Sequence, residues 1–481
     1  MKNRLLSDER IDDFINRLSE TVFDAKIEKD NLISWELFFD ELFMNDETID
    51  MYNTGAIALG VSALSNSSKK NTRYKETIEK ATNLLKQLRN SDGSWSVTAD
   101  TSDNENKGIV YNSVIAIQSL ISAGYLDLNE TDPDQLTDNL DFIYESINWI
   151  YSQRIVRNES DVQYYGWGYS GDKDNKIYIM PTVNVLLTLK IVYYELARVW
   201  KRQINKIVTD NKNLLEIINE IQESVYFFRI SPDEGWGKEI NENKDRIVYT
   251  LYGLYGLSYS EDEEDGVEYP LEKLSDADIN LFTKMMCRWN KNKYFDQSYL
   301  DSLNPEEFYD SYIQRGSSAN EIIDHESFFE AIATTSIIGF VKKYKNRIKK
   351  SRQNQLYQII VKLCASLKHR ISVVNINGES YTVVRSRRGL LSQSYPIYAI
   401  TQSTNALLTL KREKKVIKEL LSYKSNLYKV IGFILQVVVL FCVNRVAIPS
   451  AGIPILIVVS FIAPLSEYLK NWIFSLSEFE D

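Results

Sequence analysis

Two neighbouring carboxylates, Asp233 and Glu234, are the first candidates for chemistry in this sequence of 481 residues. Hydrolysis of a glycosidic bond requires such a pair, one carboxyl acting as the acid and the other as base or nucleophile. Both acids stand directly before Gly235 and Trp236, and adjacent acids in a turn usually point to solvent. We therefore expect a loop role for this pair and keep carbohydrate chemistry as a less favoured alternative.

Side chains with metal-ligand character are sparse. The acids of Asp100–Asp103 and Asp172–Asp174 resemble magnesium–diphosphate ligands, but both groups follow Gly–Trp turns, which favours loop roles. The three cysteines form no CxxC pair, and His325 and His369 do not lie at ligand spacing from them. The sequence thus predicts no metal, no cofactor and a reducing compartment.

A Gly–Trp turn followed by an apolar helix recurs along the chain and would form the scaffold for any site. The turns contain Trp95, Trp167 and Trp236, which we expect to be packing wedges between neighbouring units rather than ligand contacts. A hydroxyl side chain before an apolar helix caps free N–H groups, so we expect helices to start at such residues. These residues are Thr54, Ser113, Thr182, Thr250, Ser327 and Ser403.

Six such helix starts, spaced by roughly 60 to 80 residues, predict an all-α fold in which six helix pairs close into an (α/α)6 toroid. The toroid is assigned to residues 50–412, with residues 1–49 as a separate N-terminal helical segment. The hydroxyl-started helices are apolar on nearly all faces and would form an inner ring. Arg73–Leu88 and Asp138–Gln153 have the mixed pattern of outer helices, and Ser372–Arg385 is expected to be a long loop or a short hairpin.

The repeat resembles that of the terpenoid cyclases and protein prenyltransferases. Gln87 through Trp95 is similar to the Gln–Trp repeat of squalene and hopene cyclases, and the likeness extends roughly from Asn53 to Arg412. The resemblance implies a toroid with a central cavity, in which an acid or a metal would perform the family's chemistry.

Two positions depart from the catalytic patterns of that family. In Asp50–Ala56, the nearest match to the proton-donating motif of class II cyclases, Tyr52 stands where the acid would be, beside Asn53. A phenol is a far weaker acid than a carboxyl group. Tyr249, close to Tyr252, occupies the place of the zinc-binding histidine of prenyltransferases. These four residues are the cavity candidates, and the resemblance implies a ring without the catalytic acid or the zinc site.

The composition changes abruptly after Arg412. A basic linker covers residues 413–429, and residues 430–465 contain two uncharged apolar runs, Val430–Val443 and Ile448–Leu465. Two short membrane helices in a hairpin account for these runs, while a buried helical hairpin in a soluble domain is the alternative. Residues 466–481, with aromatic side chains beside charges, would form an interfacial tail.

The basic linker should stay in the cytoplasm, which predicts a multi-pass protein of the inner membrane with the toroid facing the cytoplasm. Polar Gln436 and Asn444 and the small residue Gly432 are the expected contacts between membrane helices, within one chain or between copies of a homo-oligomer. A formal net charge of −10 argues against nucleic acid as a partner.

The combined pattern favours a non-catalytic toroid that binds an unknown ligand or protein partner and acts at the lipid bilayer. In a bacterial cell, an enzyme-like ring joined to a membrane anchor would suit an antiviral defence effector. A membrane-bound enzyme of the terpenoid cyclase or prenyltransferase type is the alternative, and a toroidal carbohydrate enzyme is less favoured.

Overall fold

The computed structural model divides the chain into two compact units, Met1–Val416 and Ile417–Asp481. The toroid lies within the first unit. The structure describes residues 5–29, 31–35, 53–68, 72–97, 108–127, 133–168, 176–199, 206–240, 242–243, 245–261, 266–296, 309–313, 322–326, 329–376, 378–385 and 397–420.

Among the described residues, six helices form an inner ring and six lie outside it. The inner helices are α2 (Thr54–Ser68), α4 (Val110–Ser122), α6 (Ile179–Val199), α8 (Ile247–Ser258), α10 (Phe329–Tyr344) and α12 (Ile397–Arg412). The outer helices are α1 (Asp8–Asp24), α3 (Lys75–Gln87), α5 (Pro133–Ser152), α7 (Leu214–Phe227), α9 (Asp276–Lys291) and α11 (Lys350–Arg370). Short 3-10 helices cover Thr72–Tyr74 and Lys345–Arg347, and the short helix α13 (Lys414–Glu419) follows α12.

The inner helices close a ring. Each packs against the next, α2 on α4, α4 on α6, α6 on α8, α8 on α10 and α10 on α12, and α12 returns to pack on α2. Helices α2 and α12 run parallel, because contacts advance along both in the same direction: Thr401 donates to the Leu59 carbonyl, and further along Asn66 donates to Asn405 at 2.6 Å. Lys342, near the end of α10, lies 3.3 Å from Glu413, which directly follows α12. The predicted six-pair toroid is confirmed by these contacts.

The N-terminal helix is part of the ring, contrary to its assignment to a separate segment of residues 1–49. Helix α1 packs against both α2 and α12 and supplies the sixth outer helix. Its buried face consists of residues such as Ile11, Ile15, Leu18 and Val22, which recur at helical spacing. The sequence did not indicate that α1 is an outer helix of the ring, because no Gly–Trp turn follows it.

The described residues also contain five short antiparallel β-hairpins. Their strands are β1 (Ile27–Lys29) with β2 (Leu32–Ser34), β3 (Ile155–Glu159) with β4 (Val162–Gly166), β5 (Ile207–Thr209) with β6 (Lys212–Asn213), β7 (Tyr309–Ile313) with β8 (Ile322–Glu326), and β9 (Ile371–Ile376) with β10 (Glu379–Val384). The last confirms the short hairpin expected within 372–385. The other four hairpins were not predicted, because strands of two to five residues are too short to show the alternation of apolar and polar residues that marks a strand.

The three repeated tryptophans have one structural role. Trp95, Trp167 and Trp236 are completely buried. Each indole nitrogen donates at 2.7 Å to the carbonyl of the residue two before the end of the preceding outer helix. Carbonyls in a last helical turn have no partner within the helix, so each indole both fills space and satisfies one of them.

A fourth tryptophan, Trp35, repeats this arrangement in the segment that was not assigned to the toroid. Trp35 is completely buried, and its indole donates at 2.6 Å to the carbonyl of Val22, again two residues before the end of an outer helix. A Cβ at Gly60 of α2 would collide with the Trp35 ring. Trp35 was missed because neither of the two residues before it, Ile33 and Ser34, is a glycine.

Three of the recurring hydroxyls do not cap helices as predicted. Helices α4, α6 and α8 begin at Val110, Ile179 and Ile247, three residues before the predicted starts. The hydroxyl groups of Ser113, Thr182 and Thr250 instead accept the backbone N–H of the wedge tryptophan, at 3.0, 3.0 and 3.1 Å.

The remaining three predicted starts have different outcomes. Thr54 is the first residue of α2, and Ser403 lies inside α12. Ser327 lies outside the described residues.

Among the described residues, one stretch is long and apolar enough to cross a membrane, Ile179–Arg198 within α6. It belongs to the inner ring and is mostly buried, as core helices of soluble domains also are. The predicted membrane hairpin of residues 430–465, with Gly432, Gln436 and Asn444, lies outside the described residues and stays a prediction.

Candidate functional site

The faces of the inner helices that point toward the ring axis form the candidate site. On α4, the partly exposed residues Tyr111, Ile115 and Gln118 lie three to four positions apart, while their neighbours are buried. On α12, Gln402 and Asn405 follow the same spacing. The outer and lateral faces of these helices pack against other helices, so the partly exposed face is the one toward the axis. We call this surface the inner wall.

Neutral hydrogen-bonding groups connect neighbouring helices along the inner wall. The amide of Gln118 donates to the hydroxyl of Thr188 on α6 at 2.8 Å. The amide of Asn66 donates to Asn405 at 2.6 Å. Within the described chain, the side-chain oxygen of Gln402 is buried and has no hydrogen-bond partner. The wall therefore presents the amides of Gln118 and Asn405, whereas the Thr188 hydroxyl and the Gln402 oxygen are buried beneath it.

Carboxylates on the inner helices are held by arginine. The six helices contain two, Glu195 of α6 and Glu330 of α10. Glu195 pairs with Arg198 one turn along α6. Glu330 is only 1% exposed and accepts from Arg370 of the outer helix α11 at 3.2 Å, so it is turned away from the axis.

The cavity candidates fall in three different places. Tyr52 lies outside the described residues. Asn53 caps α2, because its side-chain oxygen accepts the backbone N–H of Ala56 at 3.0 Å. Tyr249 and Tyr252 on α8 are 3% and 5% exposed, so both belong to the packed layer of the ring. Burial raises the pKa of Tyr252, and the phenol stays protonated at neutral pH.

A tyrosine cluster lies where α8 ends, and sequence reasoning did not find it. Tyr255 and Tyr259 contact each other edge-to-face at 5.7 Å between ring centroids. Tyr194 of α6 lies 6.0 Å from Tyr259 and stacks on Tyr269 at 5.8 Å. Burial raises the pKa of Tyr255 to about 12. These phenols are spread over α6, α8 and a loop, so no local motif marks them.

Charged groups surround this cluster. Tyr259 donates to Glu261 at 2.7 Å, and Arg412 at the end of α12 lies 3.4 Å from the same carboxylate. Arg412 also donates to Glu413 at 3.0 Å, and Glu413 is buried against Lys342. The ring of helix C-termini carries partial negative charge, so cations are favoured at this end.

A completely buried amine supports the same end of the ring. Lys190 of α6 donates to the carbonyls of Gly256 at 2.7 Å and Tyr259 at 3.3 Å, both at the C-terminal end of α8. Burial, together with the charge of Lys343, holds the pKa of Lys190 well below its usual range. A neutral amine has two N–H groups, enough for both carbonyls.

This buried amine gives the stability a pH dependence. Above its folded-state pKa, Lys190 is neutral in the folded chain but still protonated in the unfolded chain until pH reaches about 10.5. The unfolded state then binds one more proton, so the stability difference between the natural chain and Lys190→Met should rise with pH between the folded-state pKa and about 10.5, by up to about 1.4 kcal/mol per pH unit. Urea unfolding at several pH values measures it, with Lys291→Met as the control at an exposed lysine. A difference that is flat with pH would contradict a neutral Lys190.

The acids considered for hydrolysis and metal binding are not assembled into a site. Asp233 is exposed, and Glu234 accepts from the Ser231 hydroxyl at 3.0 Å within the turn that precedes Trp236. The acidic groups of 100–103 and 172–174 lie outside the described residues. In the described part of the chain, no cluster of three or more His, Cys, Asp or Glu side chains could hold a metal ion.

No protein-family model matches the sequence, and no curated protein matches it. Several solved structures are similar to the folded chain. Cellobiose 2-epimerase from Bacillus thermoamylovorans is 10% identical and has a TM-score of 0.49, covering 84% of this chain and 100% of that one. A family 76 glycoside hydrolase (mannosidase) from Bacteroides thetaiotaomicron is 10% identical with a TM-score of 0.47 and the same coverage. An alpha-amylase from Clostridium perfringens is 12% identical with a TM-score of 0.45, covering 82% and 97%.

These similarities are too distant to assign an activity, and the ring itself is established by the helix contacts of this chain. Its more specific assignment to the terpenoid cyclases and prenyltransferases stays a prediction.

Proposed function

We propose that this chain is a membrane-anchored toroid that binds an uncharged, hydrogen-bonding ligand on its inner wall and acts on the bilayer without transforming that ligand. The observation that carries the proposal is the chemistry of the six inner helices. Their two carboxylates, Glu195 and Glu330, are each paired with arginine, whereas Gln118, Gln402 and Asn405 supply neutral groups.

Over the middle turns of the described inner helices the partly exposed polar side chains are neutral, as at Gln118, Thr335 and Asn405. Charged ones such as Glu195 and Lys343 lie toward the helix C-termini. This arrangement favours a neutral ligand in the middle of the wall. A charged ligand leaving water needs an opposite charge or several strong hydrogen bonds, because desolvation of an ion is costly. Amide groups such as those of Gln118 and Asn405 match polar but uncharged ligands.

The membrane part of the proposal rests on composition. The uncharged runs of residues 430–465 follow a basic linker, which is the order expected of a membrane hairpin with cytoplasmic ends. Pro449, Pro454 and Pro464 all lie in the second run. Two short helices, one of them interrupted by proline, would form no pore by themselves. Several copies would therefore have to assemble through contacts such as Gln436. A ligand promotes assembly only if it binds the assembled state more tightly.

The test uses the full chain in dye-loaded vesicles, to which an uncharged saccharide, a nucleoside and an isoprenoid diphosphate are added in turn. We expect an uncharged probe to increase dye release, and we expect Gln436→Leu to weaken that response. A chain ending after Leu420 should remain soluble and release no dye, which makes it the matched control.

Two outcomes would contradict the proposal in different ways. Carbonate extraction of the full chain from the vesicles would reject the anchor. Conversion of a saccharide or of the isoprenoid diphosphate into a product would show that the toroid is an enzyme.

A further inference from the structure

The first residues of the basic linker are bound to the N-terminal helix. Lys411, in the last turn of α12, lies 2.6 Å from Asp12, and Lys414, at the start of α13, lies 2.6 Å from Asp8. Both carboxylates stand near the beginning of α1, almost the whole sequence away from their partners. We call these two ion pairs the clasp.

The clasp is accessible to competing anions. The lysine side chains that a competing anion must reach are partly exposed, 32% for Lys411 and 18% for Lys414. Their partners Asp12 and Asp8 are 38% and 58% exposed. Water therefore already screens both pairs. Exposed ion pairs contribute little to stability and are weakened further by other charges. The adjacent Glu413, by contrast, is buried against Lys342 and fixes the end of α12 independently of α1.

Further cations extend the same segment. Lys415 and Lys418 are exposed on α13, so the clasp residues Lys411 and Lys414 belong to a row of lysines. Lysines close to a membrane are attracted to anionic headgroups with a strength comparable to that of an exposed ion pair. An anionic surface can therefore compete with Asp8 and Asp12 for the same two ammonium groups.

We propose that the clasp is a switch between two partners of the linker, the acidic start of α1 and the phosphate groups of an anionic lipid surface. This inference rests on the proposed membrane anchor, which would hold the linker beside the headgroups. In the clasped state α1 secures the junction between α12 and α2. In the lipid-bound state Lys411 and Lys414 contact headgroups, and α1 loses these two contacts with the end of the ring.

Hydrogen exchange of the full chain in nanodiscs tests the switch. We expect amides in the first turns of α1 to exchange at least about threefold faster in discs containing phosphatidylglycerol than in discs of phosphatidylcholine alone. Asp8→Asn/Asp12→Asn should exchange fast in both kinds of disc. The matched control is Glu9→Gln/Asp13→Asn, which makes the same charge change at the same helix start, where Asp13 pairs with Arg17 inside α1.

Equal exchange of the natural chain in both kinds of disc would overturn the proposal, as would a control variant that behaves like the clasp variant. A chain that does not enter the discs would instead reject the membrane anchor. The same exchange measurement on that chain, mixed with anionic or neutral vesicles, then decides whether the clasp yields to lipid.

Discussion

Replacing Trp236 by alanine is expected to lower the free energy of unfolding by about 3–5 kcal/mol. The indole is completely buried, stacks on Phe282 at 5.5 Å and donates to the Val225 carbonyl. A Cβ at Gly253 would lie 2.5 Å from its ring, so the indole lies directly against the backbone of α8. Alanine would leave a cavity between α7 and α8 that a close-packed interior fills only in part.

Trp236→Phe separates the two contributions of this side chain. It keeps most of the ring volume but removes the N–H donor, leaving a buried carbonyl without that bond, and should cost about 1–3 kcal/mol. Urea unfolding followed by circular dichroism measures both variants. Equal losses for Phe and Ala would mean that the hydrogen bond, not the packing, holds α7 to α8.

Arg370→Met is expected to destabilise the chain by about 3–5 kcal/mol, because it removes the guanidinium facing a buried carboxylate. The side chains of Glu330 and Arg370 are 1% and 8% exposed, and Ser366 donates to the same carboxylate at 3.1 Å. The Ser366 hydroxyl cannot compensate a buried carboxylate for the loss of the Arg370 guanidinium. Thermal unfolding at neutral pH is the measurement.

Two further variants give this prediction its controls. Glu330→Leu/Arg370→Met removes both charges and should recover much of the loss, since a buried pair can be replaced by apolar groups with little cost. Arg17→Met breaks an exposed pair with Asp13 and should change stability by no more than about 0.5 kcal/mol. If Arg370→Met is as harmless as Arg17→Met, the buried pair does not stabilise the fold.

The ring could be predicted from the sequence because its signals are local. Each of Trp95, Trp167 and Trp236 has a glycine one or two residues before it and an apolar run after it, and this pattern marks one helix pair. Six such pairs are enough to close a toroid. Helix boundaries were less certain. Ser113 and its counterparts looked like caps because a hydroxyl near a helix start usually is one, whereas here it accepts the N–H of a tryptophan from the preceding turn.

The surroundings of the candidate site could not be predicted, because they depend on contacts between distant segments. Tyr194 is on α6 and Tyr259 directly follows α8, so the two rings meet only when these inner helices pack together. Lys190 stands in an apolar helix, where its position gives no indication that it binds carbonyls of α8. The sequence also does not indicate which face of an inner helix points to the axis, because nearly all faces of these helices are apolar.

The closing contact between α12 and α2 has a consequence for synthesis. Asn66 and Asn405 are 339 residues apart, and Thr401 reaches the Leu59 carbonyl across 342 residues, whereas each other junction of the ring joins consecutive helix pairs. On the ribosome, the first five inner helices can stack as they emerge, but α1 and α2 keep an apolar face exposed until residue 412 has left the exit tunnel. Loop closure over such a length is slow, so this junction should form last during translation and open first under stress.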